Sequence, residues 1–235
     1  MLFHLVSYAK DDVPDFQNIP AGSQRVDAFV QYLVPKIEYV NQQVCQQRKK
    51  IINVLTQVEN NKKLSENEKE MVNHEASLYQ LNISSASEAN LSALLSRVNI
   101  IPISIVLAQA AVESGWGTSR FARVANNYFG EHCFEQGCGI PANKDSSVEV
   151  SQFSTVIESI QSYYLMLNSR TVFADFRKTR QIELEKPKSL NIENILTTLT
   201  AYSGIGDKYP EILDSIIKKY HFEKYDTPYS LCLSS

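Results

Sequence analysis

Apolar residues recur every three or four positions along much of this chain, and that period predicts amphipathic helices. The first begins at Ser23, a residue suited to cap it, and its stripe runs through Val26, Phe29, Val30, Leu33, Ile37, Val40, Val44, Ile51, Ile52, Leu55 and Val58. Pro35 lies inside the pattern and should kink the helix or divide it. Residues 60–63 break the period. Ser65 and Glu68 then have capping-box spacing, opening a second helix through Met71, Val72, Leu78 and Tyr79. Residues 23–82 should therefore form an antiparallel helical hairpin, preceded by an extended arm, residues 1–22, that carries Pro14, Pro20 and Gly22.

Small polar residues near 82–87 mark a boundary. Ser85 and Glu88 suggest another capping box, with Leu91, Leu94, Leu95 and Val98 as the apolar face that follows. From Pro102 to Glu113 the pattern is almost wholly apolar, through Ile103, Val106, Leu107, Ala110 and Ala111, and predicts a buried helix. Ser114, Gly115 and Gly117 stop it, and Thr118 can cap a short helix through Phe121 and Val124. Between 126 and 152 the helical period disappears. Gly130, Gly137, Gly139 and Pro141 punctuate the stretch and residues 147–153 alternate, which predicts a small β-hairpin or an irregular lobe. Helices resume near 155–168, with a capping box from Thr155 and Glu158, and then near 172–184, 192–200 and 210–219. Gly204 and Gly206 make a turn before Pro210, and the tail, 223–235, has no pattern. The fold class is mainly α with one small β element.

Composition adds exclusions. The chain has 235 residues, 43% hydrophobic and 21% charged, with a net charge of −3. No dense basic cluster with aromatics appears, so nucleic acid is not an expected partner. The run Arg48-Lys49-Lys50 reads as a solvated helix face. No apolar run is long enough for a membrane span, and residues 1–9 are too short and too uncharged at their start for a signal peptide. Cys45, Cys133, Cys138 and Cys232 are compatible with two disulfides, Cys133 with Cys138 and Cys45 with Cys232, or with free thiols. A zinc site at His132, Cys133 and Cys138 lacks a fourth ligand at the usual spacing, so neither metal nor cofactor is expected.

The chemistry centres on Glu113. It lies in the last turn of an otherwise uncharged helix and is followed at once by Ser114, Gly115 and Trp116, the only Trp in the chain. The negative helix end and loss of water beside Trp116 both favour the protonated carboxyl, and an acid that keeps its proton can donate it. A solvated helix-end Glu is the plain alternative. Against it stands Gln109, a second polar group one turn earlier on the same face.

The sequence resembles the Bax-like proteins within the glucosaminidase domains of glycoside hydrolase family 73. The resemblance rests on Ala108-Gln109-Ala110-Ala111-Val112-Glu113-Ser114-Gly115-Trp116-Gly117, on Asn126-Asn127-Tyr128-Phe129-Gly130, and on Tyr202-Ser203 followed by Tyr209. It extends upstream to Leu33-Val34-Pro35-Lys36-Ile37 and Val40-Asn41-Gln42-Gln43, and covers about 25–222. It implies a lysozyme-like, two-lobed fold over 83–222, and an endo-beta-N-acetylglucosaminidase that hydrolyses the β-1,4 bond after N-acetylglucosamine in peptidoglycan, with Glu113 as general acid. It also implies a periplasmic or secreted protein acting on glycan strands, expected to be a monomer.

A second carboxylate usually assists such cleavage. Glu131, Glu135, Asp145 and Glu149 are the candidates in the irregular lobe, and Glu149 is the choice. The substrate's own acetamido group is the alternative. Gln109, Trp116, Asn127, Tyr128, Phe129, Tyr202 and Tyr209 are the expected substrate-binding residues, because sugar faces pack on aromatic rings. For Trp116 and Phe129 the competing fate is core. A non-catalytic glycan-binding protein and a lytic transglycosylase are the other functions compatible with these residues.

Overall fold

A computed structural model describes residues 12–133, 135, 137–143, 147–186, 190–226 and 232. Nine α-helices are described: α1 Ser23–Glu59, α2 Glu66–Leu78, α3 Glu88–Arg97, α4 Ile103–Ser114, α5 Arg120–Ala125, α6 Val156–Ser169, α7 Ala174–Leu184, α8 Ile192–Leu196 and α9 Lys208–Tyr220. Short 3-10 turns at Thr171–Phe173, Thr197–Tyr202 and Phe222–Tyr225 join or extend them. The break in helical period after residue 126 is a three-stranded antiparallel sheet of β1 His132–Cys133, β2 Gly139–Pro141 and β3 Glu149–Ser151, in the order β1-β3-β2. Val150 stands opposite His132 on one side and Ile140 on the other. The architecture is mainly α with a small β element, as the pattern predicts.

Pro35 neither divides nor ends α1, which runs unbroken for 37 residues. Pro35 is on the exposed face, as is Gln31, so the backbone carbonyl that loses its amide partner can turn to water. The buried stripe of α1, including Phe29, Leu33, Ile37 and Val40, packs on α3, α4 and α6. It thus belongs to the same core as residues 83–222, and the boundary near 82 is a turn in the chain with no break in the packing. Arg48 also departs from expectation. It is buried, and its guanidinium donates to the carbonyls of Leu95 and Val98 at the end of α3.

Some caps fall a residue or two from their predicted places. Ser65 and Glu68 make the full reciprocal box. α1 starts at Ser23 after Gly22 with no side-chain cap, α3 is capped by Ser87 in place of Ser85, and α5 by Ser119 in place of Thr118. Thr155 caps α6, while Glu158 reaches back to the N–H of Ser154.

Of the expected arm, residues 1–11 lie outside the described residues, and the rest is anchored. Phe16 is buried edge-on to Phe29 and Tyr32, and it lies so close to Gly117 that a Cβ there would stand 2.3 Å from its ring. The tail is anchored as well. Asp226 accepts hydrogen bonds from the N–H and hydroxyl of Ser104, capping the first turn of α4, and Cys232 is bonded to Cys45 on α1. A second disulfide joins Cys133 to Cys138.

The bond between Cys45 and Cys232 closes a segment of 187 residues. Cross-links over long loops restrict the unfolded chain most. Cys232→Ser should lower the unfolding free energy by about 2–4 kcal/mol, read from denaturant midpoints. An unchanged midpoint would mean that Phe222 and Asp226 hold the tail unaided.

Candidate active site

Helix α4 has no polar face. Residues 103–111 are buried, and only Val112 and Glu113 near its end reach partial exposure. Gly115 in the left-handed conformation ends the helix. Glu113 therefore projects from the last turn of a rigid, dry element.

Two segments meet its carboxylate. Tyr209, in the first turn of α9, donates its hydroxyl to Glu113 Oε1 at 2.7 Å. Gly130, at φ 67°, lies against the other oxygen: a Cβ built there would be 3.2 Å from Oε2. A side chain at residue 130 would be strained by the backbone and would crowd the acid. Behind Tyr209 is Gln109, whose Nε2 donates to the Tyr209 hydroxyl at 3.1 Å. Burial raises the Glu113 carboxyl above the usual carboxylate range, and the Tyr209 hydroxyl draws it partly back.

The turn holding Gly130 is built by two asparagines. Asn126, in the left-handed conformation, donates to the carbonyls of Phe153 and Ser154. Asn127 donates to the carbonyls of Glu131 and Ser151 and accepts from the N–H groups of Phe129 and Glu131. Its amide is thus occupied by the turn and tied to β3, with no surface for a sugar. Tyr202 donates to the carbonyl of Phe129 and stacks on Tyr209 at 5.5 Å, linking the turn to the tyrosine that holds Glu113.

Several expected sugar contacts are therefore interior groups. Tyr128 is buried against Phe29, and Phe129 is stacked on buried Tyr163 at 4.1 Å. Gln109 and Tyr209 are 0% exposed, so they act on Glu113 from behind. Trp116 is half-buried, with its ring edge-on to Phe29, Tyr220 and Phe222. Of the residues expected to bind substrate, Trp116 and Tyr202 alone retain partial exposure.

The candidate second acids divide similarly. Glu149 sits on β3, and its two oxygens accept from the N–H groups of Gly137 and Gly139, bracing the loop closed by the Cys133–Cys138 disulfide. That disulfide occupies the sulfurs that the zinc reading would need. Glu135 is exposed, and Asp145 lies outside the described residues. Glu131 is buried. Its Oε2 accepts from Ser162, its Oε1 has no hydrogen-bond partner among the described residues, and burial pushes its carboxyl up to about 7 against the lowering pull of Ser162 and Arg170.

Sequence reasoning missed Tyr163, which donates to Gln109 from α6, and Asp226. The clue to the first was a hydroxyl at a core position of an amphipathic helix. For the second, the patternless tail offered none.

A half-buried carboxyl whose desolvation favours the protonated form, beside a tyrosine donor, is suited to proton donation. Residues 88–222 match the family model described as mannosyl-glycoprotein endo-beta-N-acetylglucosaminidase, and the chain belongs to this glucosaminidase family. It is 32% identical over 209 residues to the protein bax of Escherichia coli (strain K12), covering 88% of this chain and 74% of that protein. It is 28% identical over 139 residues to the exo-glucosaminidase LytG of Bacillus subtilis (strain 168), covering 57% of this chain and 49% of LytG, about half its length. Among solved structures it is similar to the catalytic domain of the autolysin Auto of Listeria monocytogenes, at 17% identity and a TM-score of 0.42. That likeness covers 77% of this chain and 87% of that one.

The buried Glu131 gives a test of the turn. Its folded pKa, about 7, lies above the unfolded carboxylate value of about 4.3, so the fold disfavours the ionised form. Stability that is intact below about pH 4 is lost as pH rises through about 7. Glu131→Gln should therefore unfold later than the natural chain at pH 8, by about 3 kcal/mol, with the gap narrowing toward pH 4. Thermal denaturation at several pH values measures it.

Proposed function

We propose that this protein is a peptidoglycan hydrolase that cleaves the β-1,4 bond after N-acetylglucosamine, with Glu113 as general acid. The observation that carries the proposal is the half-buried Glu113 carboxyl, raised by desolvation and held by Tyr209 at the end of an apolar helix. Desolvation favours the protonated form of an acid so placed, and that proton can pass to the leaving glycosidic oxygen. The family match over 88–222 supports the reaction class, and the glucosaminidase named among its relatives supports the sugar.

The second group of the reaction is less directly offered. Glu149, the expected partner, has its oxygens engaged by two backbone N–H groups, and Glu131 is buried. These engagements favour the substrate's acetamido oxygen as the internal nucleophile, which needs no second carboxylate. On that reading Glu113 is the acid that cleavage rests on among the described residues. The two disulfides favour an oxidising compartment, so the periplasm or the cell exterior is the proposed site of action. Among the described residues no helix is long and apolar enough to cross a membrane.

The test is digestion of purified peptidoglycan with mass spectrometry of the products. New reducing N-acetylglucosamine ends are expected, with their release at least about 100-fold slower in Glu113→Gln. Anhydro-sugar ends would identify a lytic transglycosylase instead. Binding without new ends, or a fully active Glu113→Gln, would reject the proposal.

A further inference from the structure

We propose that Tyr163 and Gln109 are positioning residues that decide which oxygen of Glu113 carries the acid proton. The proposal deepens the assignment of Glu113 as general acid and rests on it. Tyr163 is 0% exposed on α6, and its hydroxyl donates to Gln109 Oε1. Gln109, equally buried on α4, donates from Nε2 to the Tyr209 hydroxyl, and Tyr209 donates to Glu113 Oε1. All three donations run one way, from the core outward to the carboxylate.

The amide makes the chain directional. A carboxamide has an acceptor at one end and donors at the other, while a phenol can serve as either. Tyr163 is buried, and among the described residues Gln109 Oε1 is the acceptor for its proton. This fixes the amide, because the reversed orientation would set N–H groups against Tyr163 and leave that proton without an acceptor. With Nε2 facing Tyr209, the Tyr209 oxygen already accepts a bond from the core. Its own proton is directed to Glu113 Oε1.

The consequence falls on the acid. In a protonated carboxyl, the oxygen that accepts from Tyr209 is the carbonyl oxygen, so the proton resides on Oε2, the atom beside Gly130. When that proton passes to the glycosidic oxygen and the C–O bond breaks, the carboxylate left behind already has its donor in place. A reversed amide would draw the Tyr209 proton inward to Gln109, and Glu113 would then give its own proton to the Tyr209 oxygen and not to the substrate. Tyr163 acts at a distance, through two intervening side chains.

The experiment is a carbon-13 NMR titration of the Glu113 carboxyl, assigned by its loss in Glu113→Gln, in the natural chain, Tyr163→Phe and Tyr209→Phe. Rates on peptidoglycan are measured over the same pH range. Phenylalanine keeps the stack on Phe129 and removes only the hydroxyl. In Tyr163→Phe, Glu113 should titrate about one pH unit higher, because the ionised form loses its donor. The alkaline limb of kcat should move with it, with kcat about tenfold lower and KM unchanged. Tyr209→Phe should move the titration at least as far. A Glu113 titration that stays in place in folded Tyr163→Phe, even with a lower unfolding temperature, overturns the proposal.

The titration needs no turnover. If it moves in a protein that releases no sugar ends, the relay holds and the hydrolase assignment falls; if it stays while ends are released, only the relay falls. Should Tyr163→Phe fail to fold, the Gln109 side-chain amide decides the matter in the natural chain. Its nitrogen-15 signal should shift through the Glu113 titration and stay constant in Glu113→Gln. A constant signal in the natural chain overturns the proposal.

Discussion

A helix buried along nearly all of its length finds little water to satisfy its ends, and α4 is such a helix. Its unpaired backbone groups must be met by other parts of the chain. At the entrance, the side chain of Asn41 on α1 bonds both the N–H and the carbonyl of Ile101, and Asp226 caps Ser104. At the exit, the hydroxyl of Ser114 donates to the carbonyl of Ala110 and accepts from the N–H of Gly117, while the N–H of Trp116 bonds the carbonyl of Ala111. α4 is thus fixed at both ends by segments distant in sequence, and Glu113 is the one charged group it carries. The stiffness of the acid is a by-product of closing these backbone valences.

The same constraint recurs around α4, with arginine as the usual answer. Arg48 serves the end of α3. Arg97 reaches from α3 to the carbonyls of Tyr79 and Ser169. Arg177 bonds the carbonyls of Leu167 and Arg170, and Arg180, fully buried, joins Ser96 and Asn168. A guanidinium has five donors in a fixed fork and a charge favourable to a helix C-terminus, so one side chain can serve two helix ends. These ties help to hold the helical body as one piece beneath the small sheet.

Elements built on long periodic patterns were legible in the sequence: α1, the buried α4 with Glu113 in its last turn, and the loss of period before the sheet. Capping residues were less so, because Ser84, Ser85 and Ser87, or Thr118 and Ser119, offer hydroxyls within a few positions and only the three-dimensional start of the helix chooses among them. The candidate site was legible in membership more than in direction. Gln109 stood out as a polar residue on an apolar helix, yet sequence alone does not say whether it faces ligand or core. The aromatic stretch Tyr128-Phe129 was ambiguous for the same reason, since a ring that would suit a sugar also suits an interior, and here packing against Phe29 and Tyr163 claims both rings.

The tail bond from Cys45 to Cys232 and the Asp226 cap bear on what counts as a module. The segment matched by the family, 88–222, ends short of the cap for α4 and begins after the helix that supplies Phe29, Leu33 and Ile37 to its core. Excised at those limits, it would leave the apolar sides of α3, α4 and α6 bare. The segment that the family model matches is therefore smaller than the body whose core it shares. Grafting this domain onto another protein would require carrying both flanks along, with the cross-link that joins them.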